Sequence, residues 1–229
     1  MPRELLSGKV GALAGVAFVL LLFFSVAMVD APRSATDAEL LAWWSDDSNL
    51  TTVLASTYLQ IGSGFCFLVF ITALRAVSLR AEGGSGSLTT LAFASGVIFV
   101  ALLLASDGPR GVVALGVKVN DEALPAPDFM RYFPQLQYLL VGVIGGAAAG
   151  LSAAASSLLI LRTGAFGRWL GVLGLICAAG CVVLGLTVGA FFIPVLLVWV
   201  LATSVALWRT PSLDATRAPA TQGAVAGVA

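Results

Sequence analysis

Two cysteines four residues apart, Cys177 and Cys181, and a lone amide inside an apolar run, Gln60, are the side chains of this sequence best placed to do chemistry. Residues four apart share a helix face. The cysteines therefore suit a soft-metal or redox pair, with Cys66 from another apolar run as a third sulfur. The competing reading is packing: cysteine is small and apolar, and Cys181, Gly185 and Gly189 form a row of small residues at four-residue spacing. We take the packing reading and expect neither metal nor cofactor. Gln60 poses a different problem, because an amide buried in hydrocarbon without a partner costs several kcal/mol. Its partner is either a backbone carbonyl or serine on another helix, or a polar pocket open to the outer face. Such a pocket would draw on Tyr58, Gln60, Arg131, Gln135, Gln137 and Tyr138, with Asp46 and Asp47 nearby. Ser152, Ser156 and Ser157 have no visible base and are read as hydrogen-bonding backbone or neighbouring helices.

What is missing narrows the function further. There is no histidine, which removes histidine-ligated haem or metal and Ser-His or Cys-His nucleophiles. The interiors of the apolar runs hold no Asp, Glu, Lys or Arg, whereas pumps and ion-coupled carriers place ionisable groups within the membrane. Schiff-base chemistry would need a buried lysine, and only Lys9 and Lys118 exist, both outside those runs. Formal net charge is zero, and because nucleic-acid binding needs a basic patch to neutralise phosphates, no nucleic-acid partner is expected. An enzyme is not expected either.

The elements that position these residues are membrane helices. Of 229 residues 59% are hydrophobic and only 10% charged, and the mean hydropathy is +1.00. A soluble domain is about 25% charged. Six runs approach the roughly 20 apolar residues needed to span a bilayer: Val10 to Val29, Thr51 to Leu74, Leu88 to Ser106, Tyr138 to Leu161, Trp169 to Thr187 and Phe191 to Trp208. The first has a signal peptide as its alternative, with Arg3 and Lys9 before it and Ser25-Val26-Ala27 as a cleavage site. The last two are separated only by Val188 to Ala190 and read as a tight hairpin, because about 40 residues are too many for one crossing. Placing both termini inside leaves eight Lys and Arg on the inner side and four on the outer, which the positive-inside rule favours.

The chain is organised around Gln137 to Leu161, where Gly142, Gly146 and Gly150 share one face and small residues dominate. Small residues let helix backbones approach closely in lipid. This helix is expected at the centre of its bundle, with Trp199 filling space beside it. In the first outer loop, Thr36-Asp37-Ala38-Glu39 has capping-box spacing and predicts a short helix lying on the membrane with Leu40, Leu41, Trp43 and Trp44. Arg75 to Ser87, rich in Gly and Ser, reads as a flexible linker. Asp107 to Pro134 reads as the longest loop: Gly111 to Val119 lies on the membrane or packs on the first loop, and Asp128 caps a helix leading into the central span. The tail Thr210 to Ala229 has no periodicity and is expected to be disordered.

Ala35 to Ala42 ahead of a helix ending in Phe70-Ile71-Thr72-Ala73-Leu74-Arg75, a third span containing Gly96, and Gly164-Ala165-Phe166-Gly167-Arg168-Trp169-Leu170-Gly171 before a last span with Trp199 together resemble bacterial six-span membrane proteins grouped as a domain of unknown function. The resemblance implies a six-helix bacterial inner-membrane protein and carries no activity and no site residues. The expectation is thus an all-α polytopic bundle of six transmembrane helices, N-in and C-in, as one domain over 1–209 with a disordered tail over 210–229. Its function would be that of a non-catalytic accessory or scaffold subunit, in contact with membrane lipid and associating with other membrane chains or with copies of itself. The alternative is a binder or permease for a lipid or small neutral solute through the polar pocket near Gln60.

Overall fold

The computed structural model describes residues 8–29 and 36–209, and the expected disordered tail lies outside them. Among the described residues all regular structure is helical. Five stretches are long and apolar enough to cross a membrane: Gly8–Met28, Asp47–Glu82, Ser87–Asn120, Pro127–Thr163 and Arg168–Arg209. The elements are α1 (Gly8–Met28), α2 (Asp37–Ser45), α3 (Asp47–Glu82), α4 (Ser87–Asn120), α5 (Pro127–Met130), α6 (Phe133–Gln137), a π-helical segment (Tyr138–Gly145), α7 (Gly146–Thr163), α8 (Arg168–Val188) and α9 (Ile193–Arg209). The fifth apolar stretch is broken by the 3-10 turn Gly189–Phe192. Beyond it α9 folds back along α8, with Val195 against Gly180 and Trp199 against Gly174.

α3 is continuous over 36 residues and α4 over 34, lengths of about 54 and 51 Å at the α-helical rise. Both outrun their apolar runs. The expected linker over Arg75 to Ser87 is mostly helix: α3 persists to Glu82, and the chain turns through Gly83–Gly86 alone. Gly83, Gly84 and Gly86 take φ values of 61°, 59° and 64°, a region open to glycine at little cost. The Glu82 carboxylate then accepts from the backbone N–H of Leu88 and Thr89, both at 2.9 Å, and so caps α4. The glycines make a tight turn here, not a flexible coil. The long loop from Asp107 is corrected in the same way, since α4 runs on to Asn120 with Pro109 inside it.

At one end of the bundle these extensions build a cap. Thr36 and Glu39 form the expected capping box, and Leu40 and Trp44 of α2 are buried against Leu50, Val53, Val113, Ala114, Met130 and Phe133. Those two side chains pack on protein. Asp46 caps α3 by accepting from Ser48 and Asn49. The Ser48 hydroxyl, followed by the N–H groups of Asn49 and Ser48, holds this carboxyl below its usual value, so the cap is complete at neutral pH and fades as pH falls through the lowered value. The Asn49 side chain donates to Trp43 O at 3.0 Å. Ion pairs Arg131–Asp37 and Lys118–Asp47, each at 2.5 Å, tie the cap's segments together. Asp128 does not cap α5: the N-cap is Ala126, without a side-chain bond.

The core below the cap is centred on aromatic rings. Phe67 packs on Phe18 at 4.7 Å, Phe99 at 5.4 Å and Phe70 at 5.7 Å, and Phe70 meets Trp199 at 6.3 Å. Trp199 is fully buried, and the glycine that makes room for it is Gly174 of α8, with none supplied by α7. The stretch containing α7 is the most buried of the five, at 61% against 33–44%. Its large residues Ile144 and Leu151 point outward. Gly142 faces Gly189, Gly146 faces the Cys181 carbonyl and Gly185, and Gly150 faces the Ala178 carbonyl. The small-residue rows of α7 and α8 are therefore set against one another within this chain.

A methyl group added at Gly185 would lie 2.5 Å from the Gly142 carbonyl, whereas at Gly62 it would meet only a Leu21 side-chain carbon at 3.5 Å. Gly185→Ala is therefore expected to destabilise by about 1–3 kcal/mol, as overpacking does, while Gly62→Ala leaves stability unchanged or raises it. Thermal unfolding of the two variants in the same detergent reads the difference.

Candidate functional site: a cavity between the cap and the core

Between the cap cluster and the aromatic core lies a cavity of about 410 Å3. Leu40, Trp44, Met130 and Phe133 of the cap line it on one side, and Leu22, Val141 and Ile193 of the core on the other. Its polar wall consists of Gln60, Ser106, Arg110, Gln137 and Tyr138. Such a volume, mostly apolar with a few converging polar groups, is the usual form of a small-molecule site.

Gln60 finds both partners that the sequence left open. Its Nε2 donates to the Leu103 carbonyl at 2.8 Å, and its Oε1 accepts from Ser25 Oγ at 3.4 Å. Ser25 and Ser56 exchange reciprocal bonds to each other's carbonyls, both at 2.9 Å, and Ser106 Oγ also donates to Leu103 O at 2.7 Å. One amide thus joins α1, α3 and α4 at the level where the cavity begins. Its first work is structural, and the cavity forms around that junction.

A charged pair beside the cavity, of which Arg110 lines the wall, is the main departure from expectation. The sequence reading puts Asp107 and Arg110 in a loop, yet both lie within α4 with side chains 3% and 15% exposed. Arg110 Nε donates to Asp107 Oδ1 at 2.6 Å, Arg110 Nη2 bonds the same oxygen, and Gln137 Nε2 reaches it at 3.4 Å. Asp107 Oδ2 is buried with no hydrogen-bond partner among the described residues. The apolar runs themselves hold no ionisable group, but α4 buries one just beyond the third run, at Asp107. Charges in a low-dielectric interior are tolerable when paired and hydrogen-bonded, and the i,i+3 spacing supplies that pairing within one helix. The signal available in the sequence was the apolar stretch Gly111 to Val117 beyond the pair: apolar residues resume after Arg110, so Asp107 to Arg110 interrupts an apolar run and does not end the helix.

The proposed pocket set divides. Gln60, Gln137 and Tyr138 line the cavity. Tyr58 is 63% exposed and outside it, Gln135 is exposed, and Arg131 is engaged with Asp37 on the cap surface. Asp46 and Asp47 serve as helix cap and ion-pair partner. Tyr138 opens the π-helical segment, its ring lies against Gly189 and its hydroxyl donates to Leu186 O at 3.4 Å. Gly189 has φ 67° and no room for a side chain beside that ring. A π segment at a cavity wall is a frequent companion of functional sites. Cys66, Cys177 and Cys181 are free thiols, and no group of His, Cys, Asp and Glu suited to a metal occurs among the described residues.

Arg110→Gln leaves Asp107 buried without its counter-charge and is expected to cost about 3–5 kcal/mol, while the double variant Asp107→Asn with Arg110→Gln regains most of it. Unfolding midpoints of the two singles and the double, taken as a double-mutant cycle, measure the coupling.

No family model, curated protein or solved structure matches the chain.

Proposed function

We propose that this chain is a multi-pass protein of six membrane spans, N-in and C-in, in a bacterial inner membrane, and that it binds a lipid or a small neutral solute in the cavity beside Gln60, without catalysing a reaction and without a cofactor. The observation that carries this reading is the cavity itself, about 410 Å3 with one polar wall, located between two separately packed apolar clusters. Six spans follow if α8 and α9 each cross, which the break at Gly189 and the return of α9 along α8 favour. With both termini inside, the cap faces outward and the cavity lies at the outer membrane boundary. The apolar lining favours a lipid-like occupant over a polar solute.

A second reading, an accessory or scaffold subunit for other membrane chains or a homo-oligomer, draws on the cap, whose ion pairs and capping box present an ordered surface. It no longer has the glycine rows to call on, because Gly142, Gly146 and Gly150 are covered by α8.

Protein purified in mild detergent is expected to carry a non-covalent ligand in native mass spectrometry, and Val141→Phe, which narrows the cavity, is expected to reduce the occupied fraction several-fold. A wild-type protein that carries nothing and whose melting temperature responds to neither dodecanol nor glycerol would remove the binding reading. Crosslinked partners in native membranes would then favour the second.

A further inference from the structure

The hydrogen-bonding capacity left over on the cavity wall is centred on one cation, with Gln137, whose amide N–H reaches Asp107, beside it. Gln60 Nε2 and Ser106 Oγ are engaged with the Leu103 carbonyl, and Tyr138 donates to Leu186 O. Arg110 is different. Its guanidinium carries five N–H donors, and among the described residues its hydrogen bonds run only from Nε and Nη2 to one oxygen of Asp107. The Nη1 donors have no acceptor among the described residues, although the side chain lines the cavity and is largely buried. A planar guanidinium held along one edge by a carboxylate offers its other edge to a second acceptor group, and its geometry suits carboxylate or phosphate oxygens.

The rest of the wall specifies what is attached to that acceptor. Leu22, Leu103, Val141 and Ile193 offer a non-polar surface. Four residues at the rim, Val26 of α1 with Val188, Ala190 and Phe191 of the α8–α9 turn, are exposed, and Val26 and Phe191 are exposed to 54% and 70%. The apolar rim on the flank of the bundle gives a hydrocarbon chain a sideways exit that a water-soluble ligand has no use for.

We infer that the cavity's ligand is an amphiphile with an anionic head group, a carboxylate or a phosphate, which accepts hydrogen bonds from Arg110 while its alkyl chain leaves between α1 and the α8–α9 turn. This rests on the binding reading above and adds the head-group charge and the direction of entry. Asp107 acts as a positioning residue: it fixes the guanidinium edge-on and offsets its charge when the cavity is empty.

The test uses the full chain in a non-ionic detergent, with Trp44 on the cavity wall as fluorescent reporter. Dodecanoate and dodecyl phosphate are titrated beside dodecanol, dodecyltrimethylammonium, acetate and inorganic phosphate. The expected result is at least tenfold tighter binding of the two anionic amphiphiles than of dodecanol, little response to acetate or phosphate alone, and a ranking between dodecanoate and dodecyl phosphate that separates a fatty-acid source from a phospholipid source. The double variant Asp107→Asn with Arg110→Gln is expected to keep dodecanol binding and lose the anionic preference, and Arg110→Lys covers the case in which the double variant does not fold, by retaining charge while weakening the preference. Equal binding of dodecanol and the anionic amphiphiles overturns the head-group inference and leaves the binding reading standing, as would a preference for the cationic chain. Binding of inorganic phosphate as tight as dodecyl phosphate overturns the amphiphile. Failure of every probe overturns both.

Discussion

The structure depends on a charge compensation inside a single helix. Asp107 and Arg110 neutralise each other within one turn of α4, and this lets a helix with an apolar run on each side of the pair continue through a charged stretch without leaving either charge alone in a poor dielectric. If α4 ended at Ser106, residues 111–117 would have no fixed place, Val113 and Ala114 would not meet Leu50 and Val53, and the cap would lose its floor. The cavity exists because the cap is held at a set height above the aromatic core, and α4 sets that height together with α3.

Close backbone contact explains the other half of the bundle. The π segment and α7 meet α8 and the turn after it where neither side has a side chain to interpose, at Gly142, Gly146, Gly185 and Gly189, and in lipid such proximity is repaid by dispersion and packing, with no water to expel. The close approach of the Tyr138 ring to Gly189 in the α8–α9 turn follows from the same absence of side chains. The two halves are stabilised differently, one by small-residue contact and one by a serine and glutamine network, and the cavity lies along their seam.

Much of this was legible. Apolar run length located every long helix, the Thr36 and Glu39 spacing gave a capping box that forms, and the Val188 to Ala190 interruption marked the reversal. Gln60 was singled out for being an amide in the wrong solvent, and the structure places it both in a hydrogen-bonded junction and on the cavity. What could not be read was where helices stop. Hydropathy ends a segment at the first charges, but helix formation continues wherever backbone bonds can, so α3 passed its basic end to Glu82 and α4 passed Arg110. Tyr58 is grouped with Gln60 by proximity in sequence and Arg131 by its expected place at the outer face; a helix's angular period sends Tyr58 to the opposite side, and Arg131 is taken up by Asp37.

The lengths of α3 and α4 have a mechanical consequence. Hydrocarbon occupies about 30 Å of a bilayer, so each of these two helices carries roughly 20 Å beyond it, and α3 has no proline along its course. The cap stands on two stalks: α3 is the same rod as the buried bundle with no hinge between, whereas α4 carries Pro109 below the cap. A tilt imposed at the far turn Gly83–Gly86 by a thicker or thinner membrane would be levered through α3 into the gap beneath the cap, and the size of that gap would report the bilayer it stands in.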